Sequence, residues 1–271
     1  MMNNKLELFG LSEIPLVKKE DNIAKLIIEA STKQDIHIYD EDIILIAETL
    51  IAKSEGNIID LKKIKPSESA IKIAKLAKKD PKLVEAIIRE SNEIIEVGPE
   101  FIISETKHGF VCANAGIDES NVENGLATPM PKNPDKSALK IREDIEKEIY
   151  AQKTKSKSEK SESRSEIGVI ITDTQGRAFR NGAVGVAIGC SGISSLWKRA
   201  GEKDLYDREL QTTEIAIADE LAAAASLIMG QADEGIPVVI VRGFSNFKKL
   251  KNPNSSIDSL IRPKEFDIFR K

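Results

Sequence analysis

The sequence predicts an α+β protein, on three observations. Short β-branched apolar runs recur at Ile43–Ala47, Ile167–Ile171 and Pro237–Val241, and unbroken runs of this length are strands buried on both faces. Amphipathic segments with their own start signals lie between them and read as helices. The two kinds of element follow one another without a regular strand–helix–strand rhythm. A mixed arrangement is therefore expected, not a doubly wound parallel sheet.

Taken in order, Asp21 is placed to cap a helix whose face carries Ile23, Leu26, Ile27 and Ala30. The polar–apolar alternation around His37 reads as a strand, with His37 in a structural role. Ile43–Ala47 is a buried strand. Ser67 precedes Ile71, Ala74 and Ala77 at helical spacing. Asp80-Pro81 is a strong helix start, an acceptor at the cap followed by a residue whose φ is already set. Leu83, Val84, Ile87 and Ile88 form that helix's buried stripe. Strand-like runs follow at Phe101–Ile103, Phe110–Cys112 and Ile167–Ile171. An alanine-rich helix spans about Thr213 to Met229, with Gly230 placed to end it. Pro237–Val241 is the last strand.

One segment stands apart. Residues 151–166 read AQKTKSKSEKSESRSE, with almost no apolar side chain. Such a stretch cannot offset its ordering entropy by burial. It is expected to be a flexible insert loop within one catalytic unit of residues 1–271. Its interspersed glutamates favour a solvated linker over a polyanion-binding tract.

The bulk numbers exclude several classes. At 271 residues and 41% hydrophobic the chain can bury a full core. Charged residues make up 31%, yet the net charge is only -4, which argues against a nucleic-acid partner held by phosphate neutralisation. The N-terminus lacks the pattern of a signal peptide and no run reaches membrane length, so a cytoplasmic location without a membrane partner is expected. Cys112 and Cys190 fit no zinc spacing and read as buried thiols.

The chain has no GxxxxGK[ST] loop and no GxGxxG after a strand. His37 and His108 are its two histidines, so a Ser-His-Asp triad or a histidine-rich zinc site is poorly supported. Oxygen chemistry remains. AGIDESN (Ala115–Asn121), ITDTQGRAFR (Ile171–Arg180) and MGQADEGIP (Met229–Pro237) each place acidic, amide or hydroxyl side chains beside glycine at the end of an apolar element. Asp118, Asp173, the Thr174 hydroxyl and Gln231 are the donors that hard cations such as Mg²⁺ or Mn²⁺ take. Arg177 and Arg180 follow closely, and a metal with arginines nearby suits polyphosphate. Taken singly, each string also has a plain reading. Asp118 or Asp173 can be a turn or cap residue, DTQGR a turn with a solvated arginine, and Gly230-Gln231 a helix terminus.

Their combination and order carry a resemblance. KHGFVCANAGIDESNV (Lys107–Val122), GVIITDTQGRAFRNGAVGVAIGCSGI (Gly168–Ile193) and KDLYDRELQTTEIAIADELAAAASLIMGQADEGIPVVIVRG (Lys203–Gly243) resemble the coenzyme F420-0:γ-glutamyl ligase family. EIPLVKKEDNIAKLI, DEDIILIAETLIAKSEG and NPDKSALKIRE (Asn133–Glu143) fit the same pattern, so the likeness covers nearly the whole chain.

The resemblance implies an acid–amino-acid ligase with a two-lobed α+β subunit in an intertwined homodimer. Its small-molecule substrates would be F420-0, L-glutamate and GTP. It would form F420-1 and then γ-linked F420-2 through an acyl phosphate, with two Mg²⁺ or Mn²⁺ ions and a monovalent cation such as K⁺ assisting. Carried over by residue, the implied metal ligands are Asp118, Asp173, Thr174 and Gln231. The implied nucleotide contacts are Ile14, Pro15, Leu16, Val17, Glu48, Thr49, Lys53 and Asn121. The segment Met229, Gly230, Gln231, Ala232, Asp233, Glu234, Gly235 and Ile236 would wrap the nucleotide. Lys53 with Arg177 or Arg180 would neutralise developing charge. Two positions depart from the pattern: Glu48 stands where a small or neutral polar residue is expected, and Gln231 is a neutral amide. Because these motifs handle nucleotide and metal, two alternatives remain: a ligase for another, folate-like acid, or a nucleotide-binding module without catalysis.

Overall fold

A computed structural model describes residues 5–155 and 166–270. Strand β1 (Glu7–Leu11) leads to helix α1 (Ile23–Lys33). The cap of α1 is Asn22, which accepts from the Lys25 amide at 3.0 Å, and not Asp21. Asp21 instead accepts from the Lys18 amide at 2.7 Å and closes the preceding turn. The segment around His37 is not a strand. Side chains meet two of its backbone groups: Arg242 donates to the His37 carbonyl at 2.6 Å, and Asp42 accepts from the Tyr39 amide at 2.8 Å. Ile36 and Ile38 still pack on the core, which is the origin of the alternation. Strand β2 (Ile43–Ala47) then runs directly into helix α2 (Glu48–Ser54).

The chain continues through β3 (Ile59–Asp60), α3 (Glu68–Ala77), α4 (Pro81–Glu90), β4 (Ser91–Gly98), β5 (Phe101–Thr106), β6 (Val111–Ala113) and β7 (Leu126–Ala127). The predicted caps form: Ser67 accepts from the Ala70 amide at 3.2 Å and Asp80 from the Lys82 amide at 2.8 Å. The antiparallel β4-β5-β6 sheet and these helices enclose their own core, around Val84, Ile87, Ile102 and Ile117.

Helix α5 (Pro134–Lys155) extends into the segment expected as an insert loop. The rest of that segment, up to 165, lies outside the described residues. The hairpin strands β8 (Gly168–Arg177) and β9 (Arg180–Ile193) follow, then β10 (Trp197–Lys198), β11 (Glu214–Ile215), α6 (Ile217–Met229), β12 (Val238–Arg242), α7 (Phe247–Leu250) and β13 (Lys251–Asn252). Helix α6 begins later than predicted because Glu214–Ile215 pairs with Trp197–Lys198 as a strand. Gly230 ends it, with φ +69.

The main sheet has the order β1-β12-β2-β8-β9-β13. Among its pairs, β2 with β8 is parallel and the others are antiparallel. Its strands alternate as pleated strands must. Ile44 and Ile46 join Ile27, Ile141 and Ile145 of α1 and α5, while Ile43 and Leu45 face Leu221 and Ala225 of α6. Helices on both faces explain why these strands carry unbroken apolar runs. Two glycines of β9 permit the close approach. A Cβ on Gly189 would lie 2.5 Å from Pro134, and one on Gly185 would lie 2.4 Å from the Ala222 carbonyl. Both cysteines are free and buried. No described helix is long and apolar enough to cross a membrane.

The parallel pair fixes where a site can form. Ala47 lies opposite Thr172, so β2 ends there and β8 runs on beyond it, paired with β9. There too β1 ends and β12 begins, with Leu11 opposite Val238. Such an edge, beyond the carboxyl ends of parallel strands, is where open sheets bind ligands.

Candidate active site

A cavity of about 450 Å³ opens at this edge. Ile14–Val17 after β1, Glu48, Thr49 and Lys53 of α2, and Asp118, Ser120 and Asn121 line one part of it. The end of β8 (Thr172 to Gly176) and the turn after α6 line the rest. Three distant strings of the sequence therefore meet. Every predicted metal donor and nucleotide contact is on the wall except Asp233. Arg177 and Arg180 are not: they pair with each other at the exposed tip of the β8–β9 hairpin. DTQGR is thus the end of a strand, and the turn falls after it. His108 is also off the wall, its Nε2 3.3 Å from the Lys132 carbonyl.

Each acidic side chain is held locally. Asp173 Oδ1 accepts from the Thr174 amide at 2.6 Å and Oδ2 from the Gln175 side-chain amide at 2.9 Å. Burial pushes its carboxyl up to about 6; those hydrogen bonds work against the rise and Asp118 adds to it. Asp118 Oδ1 accepts from the Ser120 amide at 2.8 Å and Oδ2 from the Ser120 hydroxyl at 2.6 Å. Its backbone is pinned by a two-way bridge to Thr128, at 2.9 and 2.8 Å. The approach to Asp118 is strained. Asn114 and Ala115 take φ +54 and +55 ahead of Gly116, a conformation that non-glycine residues adopt at some expense and that clusters at functional sites.

Glu48 emerges from the end of β2 and is only 4% exposed. Its Oε2 is buried without a hydrogen-bond partner. Burial holds this carboxyl well above the usual carboxylate range; Asp173 and Asp118 raise it further and Lys53 opposes them. The Lys53 ammonium donates to the Asn121 carbonyl at 2.6 Å. Burial lowers its pKa, against the pull of Asp118 and Glu48. The Gln231 amide donates to the Thr174 hydroxyl at 3.0 Å, so these two predicted donors touch.

Carboxyls raised by burial and by one another mark a wall short of positive charge. Together with the unpartnered Glu48 oxygen and an all-oxygen donor set, this fits a hard divalent cation. Among the described residues no three His, Cys, Asp or Glu side chains form a ready-made metal group. That suits Mg²⁺, which takes one or two carboxylates and completes its shell with phosphate oxygens and water.

Among the wall residues that the sequence reading missed are Gln175, Ser120 and Asn114. Gln175 lies two residues beyond Asp173 on one strand, so strand periodicity places both on the same face. Ser120 follows Asp118 in an Asx turn, a recognisable local signal. Asn114, whose Oδ1 is buried without a partner, gave no signal.

Residues 12–243 match the F420-0:Gamma-glutamyl ligase family. The coenzyme F420:L-glutamate ligase of Methanothermobacter thermautotrophicus is 54% identical over 265 residues, 98% of this chain and 99% of that protein. That of Methanocaldococcus jannaschii is 53% identical over 268 residues, 98% of this chain and 97% of that protein. The Methanosarcina acetivorans protein of the same name is 40% identical over 267 residues, 98% and 96% of the two chains. With likeness over almost its full length and the motif residues gathered on one cavity, the chain belongs to the F420-0:Gamma-glutamyl ligase family.

Proposed function

We propose that this protein joins L-glutamate to coenzyme F420-0, driven by GTP, to form F420-1 and then γ-linked F420-2. The observation that supports this most is the convergence of Asp118, Asp173, Thr174 and Gln231 on one cavity in a chain whose relatives bear the name coenzyme F420:L-glutamate ligase.

A carboxylate does not react with an amine at neutral pH because its oxygen is a poor leaving group. Transfer of the γ-phosphoryl of GTP to the acceptor carboxylate breaks its bond to the β-phosphate, giving an acyl phosphate and GDP. The α-ammonium of glutamate loses a proton, its amine attacks the acyl carbon, and inorganic phosphate departs. The protein's task is positioning and charge neutralisation. Ile14–Val17 and residues of the Met229–Ile236 turn both line the cavity and would hold the nucleotide. Lys53, fixed by the Asn121 carbonyl, would neutralise charge developing on the transferred group. Asp118, Asp173, Thr174 and Gln231 would hold Mg²⁺ or Mn²⁺, which would screen the phosphates; K⁺ belongs to the same proposal. Arg177 and Arg180, at the exposed hairpin tip, do not reach this chain's cavity wall.

A homodimer is part of the proposal. Phe179 is 88% exposed, Leu205 100% and Leu227 85%. Large apolar side chains left in water are expected where a second copy covers them.

Mass spectrometry of purified protein with F420-0, GTP, Mn²⁺ and L-glutamate tests the reading. Products heavier by one and then two glutamyl units are expected, with none when tetrahydrofolate replaces F420-0. Glutamylated folate would point to the related ligase, and nucleotide binding without any product to the inactive module.

A further inference from the structure

We propose that Glu48 is itself a ligand for a divalent cation in this cavity, and that the protein takes up that ion before the nucleotide arrives. This rests on the metal and nucleotide reading of the site and adds a residue and an order of binding to it.

The position of Glu48 is set by the sheet. Ala47 and Thr172 are partners on adjacent parallel strands. Glu48 and Asp173 are the next residue on each, and both line the cavity. The three carboxyls there differ in their needs. Asp118 has both oxygens on Ser120, and Asp173 has both on Thr174 and Gln175. Glu48 is 4% exposed and its Oε2 has no partner. A buried carboxylate oxygen without a donor is disfavoured unless a cation meets it.

The neighbouring protein charges do not supply that cation. Asp173 and Asp118 are of like sign, and Lys53, which opposes them, directs its ammonium to the Asn121 carbonyl. A divalent ion would let the three carboxyls ionise together, and with Lys53 they would then leave two negative charges for it to balance. As a bare carboxylate, Glu48 would repel a phosphate at close range. With a cation between them the same carboxylate becomes attractive. A side-chain contact of Glu48 with the phosphates would then run through that ion.

Mn²⁺ titrated into the nucleotide-free full chain, with free ion followed by electron paramagnetic resonance, tests this. Wild type should bind Mn²⁺ without GTP. Glu48→Gln should weaken that binding by about tenfold or more, the scale on which even outer-shell partners of a metal act, while its metal-free melting temperature holds or rises. Glu48→Asp, which retracts the carboxylate but keeps its charge, should fall between and serves if Glu48→Gln does not fold. Unchanged Mn²⁺ affinity in Glu48→Gln, or in Glu48→Asp where that substitute is needed, overturns the proposal. So does a wild type that binds Mn²⁺ only once GTP is added, a result that leaves the nucleotide reading standing. If neither Mn²⁺ nor GTP binds, the reading of the whole site falls with it.

Discussion

Gln231 donates its side-chain amide to the Thr174 hydroxyl at 3.0 Å, joining the turn after α6 to the end of β8. The bond uses a nitrogen of Gln231 and leaves its amide oxygen free for the cavity. Gln231→Ala should weaken Mn²⁺ binding in the presence of GTP by about tenfold, the lower end of what lost metal-site partners cause. Gln231→Glu, which adds a charge to the same donor position, should tighten it. Mn²⁺ titration of the three proteins checks both directions.

Asp173 should matter in opposite senses for turnover and for stability. Asp173→Asn should lower turnover by about 10²–10³, as loss of one preorganised electrostatic contributor does. Its carboxyl sits at about 6 in the folded protein against an ordinary 3.8, so the folded state holds the proton more tightly. Its contribution is intact at low pH and is lost as pH rises from about 4 through 6. Metal-free Asp173→Asn should therefore be more stable than wild type at pH 8, by on the order of 1–3 kcal/mol. Thermal melts across pH read this. Mn²⁺ affinity of wild type should fall below pH 6, where the proton competes.

Away from the site, Arg242 and Asp42 form a two-pronged ion pair. Arg242 Nε and Nη2 donate to the Asp42 carboxylate at 2.9 and 2.7 Å, and Asp42 is 1% exposed. The guanidinium also stacks on Phe9 and Tyr39. Arg242→Ala should destabilise by about 3–5 kcal/mol, because it strands a buried carboxylate. The double variant with Asp42→Ala should lose less than the sum of the two single variants, measured by denaturant melts.

Gly185 faces the backbone of α6 with no room for a methyl group. Gly185→Ala should therefore destabilise by about 1–3 kcal/mol as the helix is displaced. Since α6 carries the turn that includes Gln231, GTP affinity should drop with it. Calorimetry alongside nucleotide titration would show both losses.

Much of this was legible in the chain. Apolar runs announced β2, β8 and β12 because two-sided burial demands them, and Ser67 and Asp80 announced α3 and α4 because caps are local. Asp118, Asp173, Thr174 and Gln231 stand out in the sequence as oxygen donors beside glycines, and they share one cavity. What failed was non-local. The alternation at Ile36 and Ile38 reflected packing, while Arg242, some two hundred residues away, supplied the hydrogen bond that a strand neighbour would have given. Arg177 and Arg180 looked close to Asp173 in sequence, but an extended hairpin carries them away from it. Glu48 looked like a flaw in a nucleotide motif until burial showed it to be a third carboxyl on the wall.

The strand order has a consequence for synthesis. β12, late in the chain, lies between β1 and β2, which are made first. Until it emerges, β1 has no strand beside it and one border of β2 stands bare, both open to pairing with another molecule. Chains cut short before Val238 should therefore clump, and the last eighth or so of the sequence acts as the keystone that makes the earlier part safe.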